Sequence, residues 1–323
     1  MADITFGSEY VFNEAASYLS NNDSIAKIDD THFVFVYIDG GNSSYGTAVI
    51  GTISGNVISY GSEYVFNSAS TYVPSVALID STHFVVSYQD GGNSSYGTSI
   101  IGTISGSTIS FGSEYVFNSS SSLYCLTRLI DSTHFVVSYR DIGDSSYGKS
   151  VIGTISNDDE IAFGSTYTFK SSTTFSMDSK IIDSTHFVIC YRDFAFLGYG
   201  RSIIGTISNG NEIAFGSEYT FNSAATNYIS VSKIDSSSFI ISYADTDNSS
   251  YGTSIIGTIS GSTISFGNKY VFNSGSTERI NVTSLDSTHI SIVYTDVGNS
   301  SYGTGIVGIL PSPSTFIPRT MWF

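Results

Sequence analysis

Short apolar runs alternate with turn residues along nearly the whole chain. In one stretch, Ser75 to Ile79 is apolar and Asp80-Ser81-Thr82 is turn-forming, because Asp, Ser and Thr side chains bond the backbone a few residues on. His83 to Tyr88 is a β-branched and aromatic run, and Asp90 to Gly97 is a polar loop. Thr98 to Ser105 reads as a third strand, Gly106-Ser107 as a tight turn and Thr108 to Phe117 as a fourth strand. The run at His83 is apolar on both faces, as expected of a strand covered on both sides. No segment has helical periodicity, and Gly, Ser and Asn recur too often for a long helix.

The same four-strand pattern returns six times. Its marker is Phe6-Gly7, then Tyr60-Gly61, Phe111-Gly112, Phe163-Gly164, Phe215-Gly216 and Phe266-Gly267. Every third strand carries a glycine, at Gly51, Gly102, Gly153, Gly205, Gly257 and Gly308, which points to close backbone approach or a bulge. The chain opens in a fourth strand (Ile4 to Phe12) and leaves the array after a third (Gly305 to Leu310). Pairing these ends would close a ring without an open edge. The expected fold is all-β: a six-bladed β-propeller with four antiparallel strands per blade, spanning residues 1–310 and closed by the N-terminal strand on the C-terminal blade. Residues 311–323 form a non-repeat tail.

Strands running outward from the axis would bring two loop families to one face. The first keeps an Asp and a Tyr-Gly pair in all six copies: Asp39 and Tyr45, Asp90 and Tyr96, Asp141 and Tyr147, Asp193 and Tyr199, Asp245 and Tyr251, Asp296 and Tyr302. Four copies read Asn-Ser-Ser-Tyr-Gly, beginning at Asn42, Asn93, Asn248 and Asn299. The second family varies but usually holds an aromatic, including Tyr72, Tyr124 and Tyr228. A carboxylate, an amide and an aromatic face suit a sugar, whose hydroxyls need polar partners and whose C–H face stacks on a ring. Equally, the Asp can cap loop amides while the Tyr packs between blades. Both readings stand on sequence.

Charge narrows the partners. Twelve basic residues face 28 acidic ones, a net charge of −16, too few cations to neutralise nucleic-acid phosphates or dock on an anionic membrane. No apolar run is long enough to span a bilayer and no signal peptide is visible, so the compartment is undetermined; the composition leans extracellular or surface. Cys125 and Cys190 occupy non-equivalent positions and read as buried free thiols. His32, His83, His134, His186 and His289 each follow a turn Asp by three residues and read as turn histidines, with no nucleophile fixed beside them. No enzyme, cofactor or metal is expected, since ligands one blade apart are too distant for one ion. Asp245-Thr-Asp247-Asn248 begins like a calcium loop but lacks its closing Glu.

At repeat level the chain resembles the six-bladed propeller lectins, such as the fucose-binding lectins of fungi and bacteria, in blade count and unit length over about residues 1–310. The resemblance implies a sugar held between blades by an Arg, a Glu and a Trp or Tyr. Here the repeats lack Trp, and Arg128, Arg140, Arg192 and Arg201 do not recur round the array. The series Glu9, Glu63, Glu114 and Glu218 is broken by Thr166 and Lys269, so that site does not transfer. The expectation is a non-enzymatic, multivalent, glycan-binding protein on the Asp/Asn/Tyr loops. The alternative is a structural or assembly unit that self-associates through Phe316, Trp322 and Phe323 of the tail.

Overall fold

The structure, a computed structural model, describes residues 8–18, 24–157 and 159–310. The tail, with Phe316, Trp322 and Phe323, lies outside the described residues. Among the described residues there is no α-helix, only 3-10 turns at Phe194–Phe196, Thr246–Asn248 and Val297–Asn299. The chain divides into two compact units. One comprises Met1–Phe175, Asp183–His186 and Gly205–Phe215; the other comprises Ser176–Ile182, Phe187–Ile204 and Gly216–Phe323.

Repeat two shows how the sequence makes each sheet. His83–Asp90 and Tyr96–Ser105 pair antiparallel, from His83 opposite Thr103 to Asp90 opposite Tyr96. Tyr96–Ser105 then pairs with Thr108–Asp131, and His83–Asp90 pairs on its other edge with the end of Tyr64–Leu78. Seven of the eight residues of His83–Asp90 are buried, as its two-sided apolar pattern requires. Equivalent second and third strands pair with the same register in repeats one, three, five and six.

Fourth strands and the next first strands, expected as separate elements, are continuous. Thr108–Asp131, Glu160–Ile181 and Thr263–Ser284 each leave one sheet and enter the next without a break. One residue turns the chain at each crossing by adopting a left-handed conformation: Val73 (φ 45°), Tyr124 (54°), Ser176 (45°), Tyr228 (52°) and Arg279 (51°). The ladder shifts register there, as between Tyr72 and Ser75, and the following residue (Cys125, Met177, Ile229 or Ile280) drops into the core. Both cysteines are buried free thiols, and burial pushes their pKa values up.

The third-strand glycine answers to a side chain, not to the backbone approach expected. A Cβ on Gly51, Gly102, Gly153 or Gly257 would fall 2.1–2.5 Å from the ring of Phe33, Phe84, Phe135 or Phe239, the residue directly opposite. The expected bulge is also present, because the ladder slips just before Gly102, Gly153 and Gly257.

Closure is not seen as a ladder. The described part of the expected N-terminal strand, Ser8–Phe12, is not in a strand, and Tyr302–Ile309 pairs only with His289–Asp296 among the described residues. Side-chain contacts of that segment do follow the repeat. Phe12 lies 5.1 Å from the Tyr37 ring, as Phe66 lies 5.1 Å from Tyr88, Phe117 5.0 Å from Tyr139 and Phe221 5.2 Å from Tyr243.

Candidate functional site

The two loop families meet at one end of each sheet. Loop Asp and loop Tyr are directly opposite each other where second and third strands end: Asp39 and Tyr45, Asp90 and Tyr96, Asp141 and Tyr147, Asp245 and Tyr251, Asp296 and Tyr302. The crossing segment lies along the other edge, with Thr71 opposite Asp90, Ser122 opposite Asp141 and Thr226 opposite Asp245.

The carboxylates face inward. Asp39, Asp90, Asp141, Asp193 and Asp245 are buried, and Asp296 is half-buried. Asp90 Oδ1 accepts from the Gly92 amide at 2.9 Å and from Asn67 Nδ2 at 3.1 Å. Asp39 repeats this with Gly41 and Asn13, Asp193 accepts from the Ala195 amide, and Asp245 accepts from Asn222. Asp39, Asp90, Asp141 and Asp193 thus cap their own loops, and the Asn bonds tie Asp39, Asp90 and Asp245 to the segment before. Asp141 also accepts from Lys149 Nζ at 2.9 Å; that bond, with those from Asn118 and Ser120, outweighs burial and lowers its pKa.

The Ser-Ser pair of the Asn-Ser-Ser motif sits in a left-handed turn. Ser43 and Ser44, Ser94 and Ser95, Ser249 and Ser250, and Ser300 and Ser301 all have φ between 54° and 63°, in the left-handed region. The side chains of Asn93, Asn248 and Asn299 are exposed, while Tyr45, Tyr96, Tyr147, Tyr199 and Tyr251 are half-buried and Tyr302 is exposed. Tyr72 is also exposed, its ring edge lying close above Gly91 of the loop. Tyr124 and Tyr228 are half-buried at the left-handed crossings.

A further set of residues at this end stands just before each loop Asp, where sequence reasoning placed no contact. Arg140 holds its guanidinium 4.3 Å from the centre of the Phe175 ring and donates to the Thr174 carbonyl at 3.4 Å. Burial lowers its pKa, the Tyr124 hydroxyl works against that, and its buried Nε has no hydrogen-bond partner. At the same position Gln89 donates to Ser121 Oγ at 3.0 Å and Arg192 donates to Asn227 Oδ1. The signal for them was adjacency to an invariant position within the array, masked because Ile38, Gln89, Arg140, Arg192, Ala244 and Thr295 share no chemistry.

The glutamate series belongs to the tyrosine two residues before each loop Asp. Tyr88, fully buried, donates its hydroxyl to Glu114 at 2.6 Å, and Tyr37 donates to Glu63. Burial first, then these carboxylates, push both phenols up. Where Thr166 replaces the Glu, Tyr139 is pushed up to about 12, again mainly by burial.

At the opposite end, the histidines sit in their turns. His32 Nδ1 lies 2.9 Å from Asp29 Oδ2, and His83, His134, His186 and His289 lie 3.0–3.2 Å from Asp80, Asp131, Asp183 and Asp286. Among the described residues no group of three His, Cys, Asp or Glu side chains could hold a metal, and no helix is long and apolar enough to cross a membrane.

No family model matches the chain, and no curated protein sequence matches it. Solved structures do share its propeller-like, all-β fold. An arginine triple mutant of AofleA from Arthrobotrys oligospora aligns with a TM-score of 0.54 and 11% identity, over 91% of this chain and 82% of that chain. A hypothetical selenium-binding protein from Sulfolobus tokodaii aligns at 0.55 and 8% identity, over 79% and 68%. A prolyl endopeptidase aligns at 0.53 and 11%, but this chain spans only 42% of its length. At such identities the likeness is one of fold.

Proposed function

We propose that this protein is a six-bladed β-propeller that binds carbohydrate at several equivalent places on its Asp/Tyr loop end, without catalysis. The observation that carries the binding reading is the cluster around Arg140. A guanidinium with an unpartnered buried Nε stands beside the Phe175 ring and the Tyr124 hydroxyl, between neighbouring crossings. Donor groups next to an aromatic face match the hydroxyls and C–H face of a sugar. Exposed Tyr72 over Gly91 offers a second stacking surface in the preceding repeat. Weak sites repeated along one chain gain affinity by effective concentration.

The closed ring is part of the proposal. Phe12 and Asn13 make the ring and amide contacts that Phe66 and Asn67 make one repeat later, so the N-terminal segment behaves as the end of a fourth strand. Repeat six lacks that strand among the described residues, and an apolar cavity of about 470 Å³ lined by Ile290, Ile292, Ile306 and Ile309 opens there. The histidines, tied into turns away from the loops, support a non-enzymatic reading.

A glycan array probed with the intact protein tests the function. Saturable binding that free sugar competes away, and that Arg140→Ala or Tyr72→Ala weakens, is the expected result. A blank array on folded protein overturns it. Deleting residues 311–323 and measuring oligomeric state then tests the assembly alternative.

A further inference from the structure

Repeats two and three differ in charge toward the loop end, position by position. Gln89 precedes the loop Asp of repeat two, and Arg140 precedes that of repeat three. Thr98 lies opposite Tyr88, where repeat three has Lys149 opposite Tyr139. Asn118 lies opposite Gly97, where repeat three has Lys170 opposite Gly148. Glu114 lies opposite Ile100, where repeat three has Thr166 opposite Val151. Three neutral residues thus give way to cations and one carboxylate is lost, in a chain whose net charge is −16. Repeat one resembles repeat two, with Ile38, Thr47, Asn67 and Glu63 at the same places.

Lys149 is matched within its loop. It donates to Asp141 Oδ2 at 2.9 Å and lies 2.6 Å from Asp144 Oδ2, while Asp141 Oδ1 accepts from Ser120 Oγ and the Gly143 amide. Both loop carboxylates are therefore claimed. Arg140 has no such match, and among the described residues no carboxylate is paired with it. Its Nη1 donates to the Thr174 carbonyl at 3.4 Å, and the Phe175 ring covers one face of the guanidinium at 4.3 Å. Its buried Nε and its Nη2 donate to nothing among the described residues. Those two N–H groups lie side by side and point the same way, the geometry that meets both oxygens of a carboxylate. A guanidinium that has lost water to an aromatic face, with no counter-ion beside it, is an unmatched charge. A neutral sugar hydroxyl must donate as well as accept, and the groups offered here are chiefly donors.

We propose that the Arg140 place in repeat three takes an acidic sugar residue, a uronic or sialic acid, whose carboxylate lies on the Nε–Nη2 edge of Arg140 beside the Phe175 ring. The proposal rests on the carbohydrate reading and specifies it: the repeats differ in the sugar they take, and the uncharged Gln89 place carries no preference for an acid. A hydrogen bond between two charged groups is about twice as strong as a neutral one, so charge sets the selectivity at Arg140.

Calorimetric titration of the intact protein with trigalacturonic acid and with sialyllactose, each against its own methyl ester, tests this. In at least one pair the acid should bind about tenfold tighter than the ester at low salt. The difference should shrink as NaCl is raised. Arg140→Gln, which copies repeat two, should erase the difference. Lys27→Gln makes the same charge change in an exposed residue at the turn end and should keep it. Equal affinity within both pairs overturns the acidic place and leaves the carbohydrate reading standing, since sugar is still bound. A preference that survives Arg140→Gln overturns it in the same way. No binding of any member, together with a blank glycan array, overturns both readings. Acid against ester needs no variant, so it decides the matter even where Arg140→Gln fails to fold.

Discussion

Gly102 lies directly opposite Phe84, and the Phe84 ring occupies the space a side chain at Gly102 would need: a Cβ there would fall 2.2 Å from the ring's Cζ. Phe84 is fully buried, so its ring cannot swing away without opening the core. Gly102→Ala should therefore destabilise the protein by about 1–3 kcal/mol, read as a lower urea midpoint. Gly106→Ala is the contrast, since nothing lies within 4 Å of a Cβ there and only its φ of 62° opposes the change.

Loop Asp and crossing Tyr should separate cleanly by mutation. Asp90→Ala strands the Gly92 amide and the buried Asn67 amide, and should cost about 1–3 kcal/mol of stability. Tyr72→Ala removes an exposed ring and should change stability by less than about 0.5 kcal/mol while lowering glycan binding. Chemical denaturation and the array, run on both variants, check this. If Asp90→Ala kept full stability, the capping role assigned to it would be wrong.

Val73 holds φ at 45°, a conformation costly for a β-branched residue. Val73→Gly should raise the unfolding midpoint or leave it unchanged, because relief of about 1 kcal/mol of strain offsets the lost side chain. Val76→Gly, a few residues on in the buried core, should lower it sharply. Thermal denaturation of the two variants side by side decides the point.

Acid should loosen the histidine turns. Asp286 has its pKa lowered to about 2, chiefly by the Thr288 hydroxyl and amide, and Asp29 is lowered mainly by the Thr31 amide. A carboxyl depressed in the folded state contributes stability above its unfolded pKa and loses it as pH falls through the folded one. Stability should therefore drop from about pH 4 towards pH 2. Asp286→Ala should flatten part of that slope in urea titrations across the range; an unchanged slope would remove the turn from the account.

The strands, the turns between them and the sixfold period were legible in the residues, because alternation, turn chemistry and recurrence are local properties that need no partner to be read. So were the buried thiols and the pairing of turn Asp with His, three residues apart. Only the tertiary structure decided which groups meet across strands and repeats. It put an aromatic ring opposite each of four third-strand glycines, and it turned five loop carboxylates inward, four of them as caps. It also brought Arg140 to Phe175, 35 residues away in the chain, and paired Tyr88 with Glu114. The physical reason is that strand register and sheet-to-sheet packing assign each side chain its neighbours. A repeat copies the backbone path but lets individual positions vary, so Lys149 and Lys269, on different strands, disclose their shared electrostatic role only once both reach a loop aspartate.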